Sequence, residues 1–119
     1  MKKTIVVGAS PKPERYSYKA VVRLKQYGHP VYAFGLREAD IEGIPIYTDW
    51  PKDEEFDTVT LYLNPTRQEE YYQRIIDLKP KRVIFNPGTE NPHFMEMLKD
   101  KGAEVEAACT LVMLSVGNY

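Results

Sequence analysis

Ile5-Val6-Val7 runs without a polar interruption into Gly8-Ala9-Ser10, and this junction constrains the chain more than any other stretch. Three β-branched residues in a row favour an extended, buried segment. The following residues, from about Tyr18 to Tyr27, carry Ala20, Val21, Leu24 and Tyr27 at helical spacing. A buried strand that turns through glycine into a helix is the first half of a βαβ unit. Such a turn suits an anion for a local reason. Gly8 lets the backbone approach a ligand, and the helix points unpaired N–H groups and the positive end of its dipole at the same spot. Lys12 and Arg15 lie in the connecting loop where a phosphate would dock, and Ser10 and Ser17 add hydroxyls. The G-x-G-x-x-G fingerprint is absent after its first glycine, and Pro13 stands where a P-loop needs its second. The junction therefore specifies an anionic ligand more strongly than it specifies which one.

The rest of the chain alternates strand and helix. Val31-Tyr32-Ala33-Phe34 predicts a second strand ending at Gly35, after a helix stop at Gly28 and Pro30. Leu36 to Glu55 has no helical period and reads as a long irregular connection, with a short extended piece inside Ile41–Tyr47. Thr58–Leu63 predicts a third strand, Arg82–Phe85 a fourth and Glu104–Ala107 a fifth. The second helix has two competing starts, Asn64-Pro65 and the Thr66/Glu69 capping box, and Asn91-Pro92 opens a third. Cys109–Leu114 is a short apolar piece that must pack on the body. The reading is one domain over residues 1–119, an α/β Rossmann-like, doubly wound parallel sheet of about five strands with the first strand central.

Ligand crevices in such sheets lie outside the carboxyl ends of the strands. That rule gathers Gly8-Ala9-Ser10, Gly35-Leu36, Asn64-Pro65, Asn86-Pro87-Gly88 and Ala108-Cys109 on one edge. None of these is a carboxylate or a histidine.

Charge is uneven along the chain although the formal total is −1. Residues 1–28 hold seven basic residues against Glu14 alone, whereas residues 37–57 hold eight acids against Arg37 and Lys52. Most of these charges read as solvated faces. The near-zero total and the lack of an RNA-binding signature argue against a nucleic-acid partner. One cysteine and two histidines cannot assemble a zinc cluster, and Cys109 alone allows no intrachain disulfide. No apolar run reaches the length of a membrane span, and Met1-Lys2-Lys3-Thr4 leads into a strand, so a cytoplasmic protein with no membrane partner is expected.

Enzyme chemistry finds little footing. An NAD site needs an acid at the end of the second strand, where this chain has Phe34-Gly35-Leu36-Arg37, although Arg37 would suit an NADP phosphate. Cys109 reads as a small buried hydrophobe, His29 as an exposed turn residue and His93 as a first-turn surface residue. Trp50, in the loop after the second strand, either reports on a ligand nearby or pins the loop to the body.

Val6-Val7-Gly8-Ala9-Ser10-Pro11-Lys12-Pro13-Glu14-Arg15 followed by Ser17-Tyr18 resembles the opening of the small stand-alone CoA-binding proteins. Their domain is similar to the CoA-binding domain of the succinyl-CoA synthetase alpha subunit. Tyr27–Tyr32, Ile41–Tyr47 and Cys109 extend the resemblance over essentially the whole chain. It implies coenzyme A or an acyl-CoA as ligand, with its phosphates on the first loop and its adenine and pantetheine enclosed by the loops after the second and third strands. On this reading the contacts are Gly8, Ala9, Ser10, Lys12, Arg15, Ser17, Tyr18, Gly35, Asn64, Pro65, Asn86, Gly88 and Cys109. The chain departs from the family where Gly35-Leu36 replaces an Asn-Pro pair and Asn86-Pro87-Gly88 replaces a Gln-x-Gly turn. The synthetase's phospho-histidine loop is also missing, so ligase activity is not implied. Binding without catalysis is the first expectation. A small enzyme using NAD(P) or acyl-CoA, and an interaction subunit with a degenerate pocket, remain open, as does a homodimer or another protein partner.

Overall fold

The computed structural model describes residues 1–119. Its strands are β1 (Thr4–Ala9), β2 (Val31–Gly35), β3 (Ala39–Ile41), β4 (Ile44–Tyr47), β5 (Thr58–Leu61), β6 (Arg82–Phe85) and β7 (Glu104–Ala107). The helices are α1 (Tyr16–Gln26), α2 (Pro65–Gln68), α3 (Tyr72–Asp77), α4 (Pro92–Asp100) and α5 (Thr110–Val116), with a 3-10 turn at Glu69–Tyr71 between α2 and α3. They build one seven-stranded sheet in the order β3-β4-β2-β1-β5-β6-β7, with β1 at its centre. All pairs are parallel except β3 with β4.

Period-two alternation in β1 divides the core. Ile5 and Val7 enter a cluster with Phe34, Tyr71, Ile75, Phe85 and Phe94 on one face. Val6 enters the other, where α1 contributes Val21 and Leu24 and α5 contributes Leu114. β5 and β6 are buried along their whole length, as parallel strands covered on both faces must be. The edges are protected differently. β7 carries Glu104 and Glu106, and β3 is a short antiparallel cap.

The sheet has seven strands where the sequence reading has about five. The two additional strands come from the connection read as irregular. β3 and β4 form a hairpin over Glu42 (φ 47°) and Gly43 (φ 92°), a two-residue turn with both centres left-handed. Asp40 accepts the Gly43 N–H at 2.9 Å, and Lys25 on α1 donates to the Glu42 carbonyl at 2.5 Å. Strands of three and four residues, one containing Pro45, leave too short a period to be read from sequence.

Other boundaries shift less. α1 begins at Tyr16, two residues before the expected start, and β5 ends at Leu61 instead of Leu63. Asn64 wins the contest for the second helix start. Its Oδ1 accepts the Arg67 N–H at 3.0 Å and Pro65 takes the first helical position. His29 is not a free turn residue. It is half-buried at the amino end of the sheet, its Nδ1 accepting the Lys2 backbone N–H at 3.0 Å and its ring 4.8 Å from that of Tyr119.

Trp50 lies on the body with its ring stacked on Tyr71 and edge-on to Phe34, 4.9 Å between centroids in the latter pair. It pins the loop between β4 and β5.

Candidate anion-binding crevice

At Gly8 the register of β1 against β2 slips by one residue, because Val7 pairs with Phe34 while Ala9 pairs with Gly35. Gly8 is therefore an extra residue, with φ 99°, a conformation that side chains rarely adopt. The bulge reverses the alternation, so Ala9 joins the same core as Val6 rather than that of Val7. It also presses the chain against β5. A side chain at Gly8 would meet Leu63 Cδ2 at 3.0 Å and the Tyr62 carbonyl carbon at 3.1 Å. Sequence chemistry thus sets the entry to a crevice of about 560 Å3 at the carboxyl ends of β1 and β5.

Loops from four strands line it. Gly8, Ala9, Ser10 and Lys12 come from the loop after β1, and Arg15, Tyr16 and Ser17 from the start of α1. Leu36 and Arg37 follow β2. Tyr62, Leu63, Asn64 and Arg67 follow β5, and Pro87, Gly88 and Thr89 follow β6. The crevice lies where the sheet order reverses direction, since the chain leaves β1 toward β2 on one side and later returns to β5 on the other.

The charged side chains of its lining are all cations, and Glu90 Oε1 accepts the Gly88 N–H at its rim at 2.8 Å. Lys12, Arg15, Arg37 and Arg67 line it, and no aspartate, glutamate, histidine or cysteine does. None of the four cations is in an ion pair, for the two in the molecule join Lys3 to Glu54 and Arg82 to Glu106. Arg15 is the N-cap of α1 and supplies no capping side chain. The N–H groups of Tyr16, Ser17 and Tyr18 consequently have no partner within the protein, whereas Lys19 N–H already bonds the Arg15 carbonyl. Ser10 Oγ accepts the Lys12 N–H at 3.2 Å and braces the loop. Burial raises the Tyr62 phenol above its ordinary range despite the Thr110 and Thr60 hydroxyls beside it, so it stays a neutral group.

Of the expected contacts, Gly8, Ala9, Ser10, Lys12, Arg15, Ser17, Asn64 and Gly88 come together in the crevice. Five do not line it. Tyr18 turns away and packs half-buried on the core shared by α1 and α5. Gly35 is required by packing, because a side chain there would strike the Ala9 carbonyl oxygen. Pro65 serves as the first residue of α2. Cys109 is the half-buried N-cap of α5.

Asn86 is the fifth, and its amide is fully occupied below the crevice floor. Nδ2 donates to Thr60 Oγ1 at 2.7 Å and to the Leu61 carbonyl at 2.9 Å, while Oδ1 accepts the Thr110 N–H at 2.9 Å. Gln68 continues this buried framework by donating to the Leu63 and Thr89 carbonyls, both at 2.8 Å. The polar ladder holds the ends of β5, β6 and α2 and the start of α5 in fixed relation.

Tyr16 and Arg67 are crevice residues that sequence patterns do not single out. Arg67 carries a usable signal only once Asn64 is known to cap α2, which places it in the first turn beside the crevice. A larger concavity of about 890 Å3 lies at the opposite, amino end of the sheet, between the Trp50–Asp57 segment and the end of α3. Its acids and bases are mixed, it lies away from the switch in strand order, and it lacks a helix start.

The profile of the CoA binding domain family matches residues 2–115, nearly the full length. The chain belongs to that family. An uncharacterized protein of known crystal structure is 49% identical, with a TM-score of 0.96 over 100% of this chain and 98% of its own. A hypothetical protein from Pyrococcus horikoshii OT3 is 26% identical, with a TM-score of 0.87 over 97% of this chain and 82% of its own. A Thermus thermophilus protein shares the fold at 22% identity and a TM-score of 0.86, covering 99% and 91% of the two chains. No curated protein matches in sequence. In this CoA-binding domain the seven-stranded mixed sheet is a Rossmann-like framework with an extra hairpin on its β2 side. No helix is long and apolar enough to cross a membrane.

Proposed function

We propose that the chain binds coenzyme A or an acyl-CoA in the cationic crevice and does so without catalysing a reaction on it. The carrying observation is that four unpaired cations line one crevice that also holds the free N–H groups of the α1 start, with no carboxylate in the lining. CoA presents a diphosphate and a 3′-phosphate, about four negative charges in all, since a phosphate monoester carries about −1.5 to −2 near pH 7. Lys12, Arg15 and the α1 N-terminus take the diphosphate. Arg37, immediately beyond β2, takes the 3′-phosphate on the ribose, at the position where a dinucleotide site would carry an acid. Arg67 closes the opposite wall, on the β5 side. Guanidinium groups suit this task because they bind phosphate through two parallel N–H donors.

A nicotinamide dinucleotide fits less well. The site offers no carboxylate for a ribose diol, and its charge exceeds what one diphosphate needs. Binding without turnover is supported by a lining that holds no carboxyl, imidazole or thiol, so the Ser10 and Ser17 hydroxyls have no carboxylate or imidazole base beside them. A cytoplasmic setting agrees with the lone unpaired Cys109.

Calorimetry with CoA, dephospho-CoA and NAD tests the ligand. The proposal expects CoA to bind best and NAD worst. NAD binding equal to CoA would refute it. Incubation with acetyl-CoA, followed by mass analysis, tests the second half, and any enzyme-dependent consumption would assign the chain a catalytic role.

A further inference from the structure

Only α1 and α5 cover the sheet face that holds Val6, whereas α3, α4 and the Trp50 loop cover the other. α5 starts over β5 and β6, where Thr110 Oγ1 lies 2.8 Å from that of Thr60 and the Thr110 N–H bonds Asn86. Beyond α5, the edge strand β7 is left bare. Glu104 and Glu106 stand on this face, since Arg82, beneath the Tyr119 ring, pairs with Glu106 at 3.5 Å while Val105 joins the other core. On the far side of α5 lies α1. Its Lys25 reaches the β3–β4 hairpin, so Arg23, about 200° round the helix from it, faces α5. α5 itself exposes Val112 (55%) and Val116 (64%), one turn apart, and residues 107–119 hold no charged side chain. Three strips therefore run side by side: a cationic α1, an apolar α5 and an anionic β7. Arg23 and Glu104 are exposed and belong to neither of the molecule's ion pairs.

We propose that this face pairs with a second copy of the chain about a twofold axis running along α5. An uncharged centre inside a charged rim is the anatomy of a protein interface. Here the rim carries opposite signs on its two sides, and that selects the axis. A twofold parallel to α5 lays the α1 of each copy over the β7 of the other, so each Arg23 meets a Glu104 and the contact is made twice. Val112 and Val116 then meet their own counterparts on the axis. A twofold across α5 would lay α1 on α1 and β7 on β7, like charge on like. The strip is as long as α1, whose 11 residues span about 16 Å, and a contact of that size suits a reversible dimer. The pairing does not depend on what the crevice binds.

Sedimentation equilibrium on the full chain tests it. The parent should show a concentration-dependent monomer–dimer equilibrium that weakens as salt rises. Val112→Glu and Val116→Glu set a charge at the centre of the contact and should leave only monomer. Arg23→Glu and Glu104→Lys should each weaken the dimer by about 10-fold or more, and the two together should restore it. All four positions are exposed, so unchanged melting temperatures are the control for folding. The charge swap carries the test independently of the glutamate variants at the centre. A parent still monomeric at millimolar concentration overturns the pairing and leaves the face to a partner of different sequence. A dimer untouched by Val112→Glu and Val116→Glu overturns it by placing the contact elsewhere. Single charge reversals without effect, or a double variant no better than either single one, would overturn the axis along α5, because an axis across it sets each residue against its own counterpart.

Discussion

Asn86 Oδ1 accepts the backbone N–H of Thr110 at 2.9 Å, tying the end of β6 to the start of α5 across 24 residues of chain. The same amide donates to Thr60 and to the Leu61 carbonyl, so one buried side chain joins β5, β6 and α5. Asn86→Ala leaves the Thr110 N–H and the Leu61 carbonyl without this partner in a buried setting. Each such loss costs about 1–3 kcal/mol, and the variant should be destabilised by roughly 2–4 kcal/mol. Urea unfolding measures it. A change below about 0.5 kcal/mol would show that Asn86 is not a structural tie.

Lys12 and Arg15 are exposed loop residues, so their roles in folding and in binding separate cleanly. Charge-assisted hydrogen bonds to phosphate contribute about 1.5–3 kcal/mol each. Lys12→Ala and Arg15→Ala should each weaken CoA by roughly 10- to 100-fold while changing stability by no more than about 0.5 kcal/mol. The affinity of the parent should fall as salt rises. If both variants bind CoA like the parent, the loop is a solvated turn and the site lies elsewhere.

Arg37 carries a sharper expectation, because the assignment concerns one phosphate. The parent should prefer CoA to dephospho-CoA, and Arg37→Ala should erase the preference by weakening CoA alone. Arg67→Ala, on the opposite wall, should weaken both ligands alike. Calorimetry on the four combinations reads the result. An unchanged preference in Arg37→Ala would move the 3′-phosphate to another cation.

His29 links stability to pH at the other end of the sheet. Burial is the main cause that lowers its pKa below 6.5, with Lys2 and Arg82 adding to it. The neutral ring accepts the Lys2 N–H at Nδ1, which a protonated ring cannot do. A base whose pKa is lower in the folded state contributes stability above the unfolded value, and that contribution is lost as pH falls below 6.5 toward the folded value. His29→Asn keeps an acceptor but does not titrate. Its melting temperature should fall less than the parent's between pH 7.5 and pH 5, and equal slopes would assign the effect to another group.

Residues close in sequence decided much of this protein. The uninterrupted Ile5-Val6-Val7 stretch, the glycine after it, the helical spacing of Ala20, Val21 and Leu24, and the Asn-Pro helix starts are local signals. Each depends on propensity, period or capping within a few residues, so the alternating α/β pattern and the glycine turn after β1 were legible. The loop cations Lys12 and Arg15 were legible for the same reason.

Tertiary structure decided the rest. The β3–β4 hairpin needed β2 as a template, for its strands are too short to declare themselves. Whether an edge residue faces a ligand or the interior depends on what packs beside it. Gly35 is held by the Ala9 carbonyl, Asn86 by Thr60, Leu61 and Thr110, and Tyr18 by the core under α1. The converse holds for Tyr16 and Arg67. Their neighbours Arg15, Ser17 and Asn64 were expected at the edge, but only the start of α1 at Tyr16 and the Asn64 cap of α2 bring these two side chains into the crevice. Local chemistry specified a glycine turn and two loop cations at the end of β1, and long-range packing chose which other side chains line the crevice beside them.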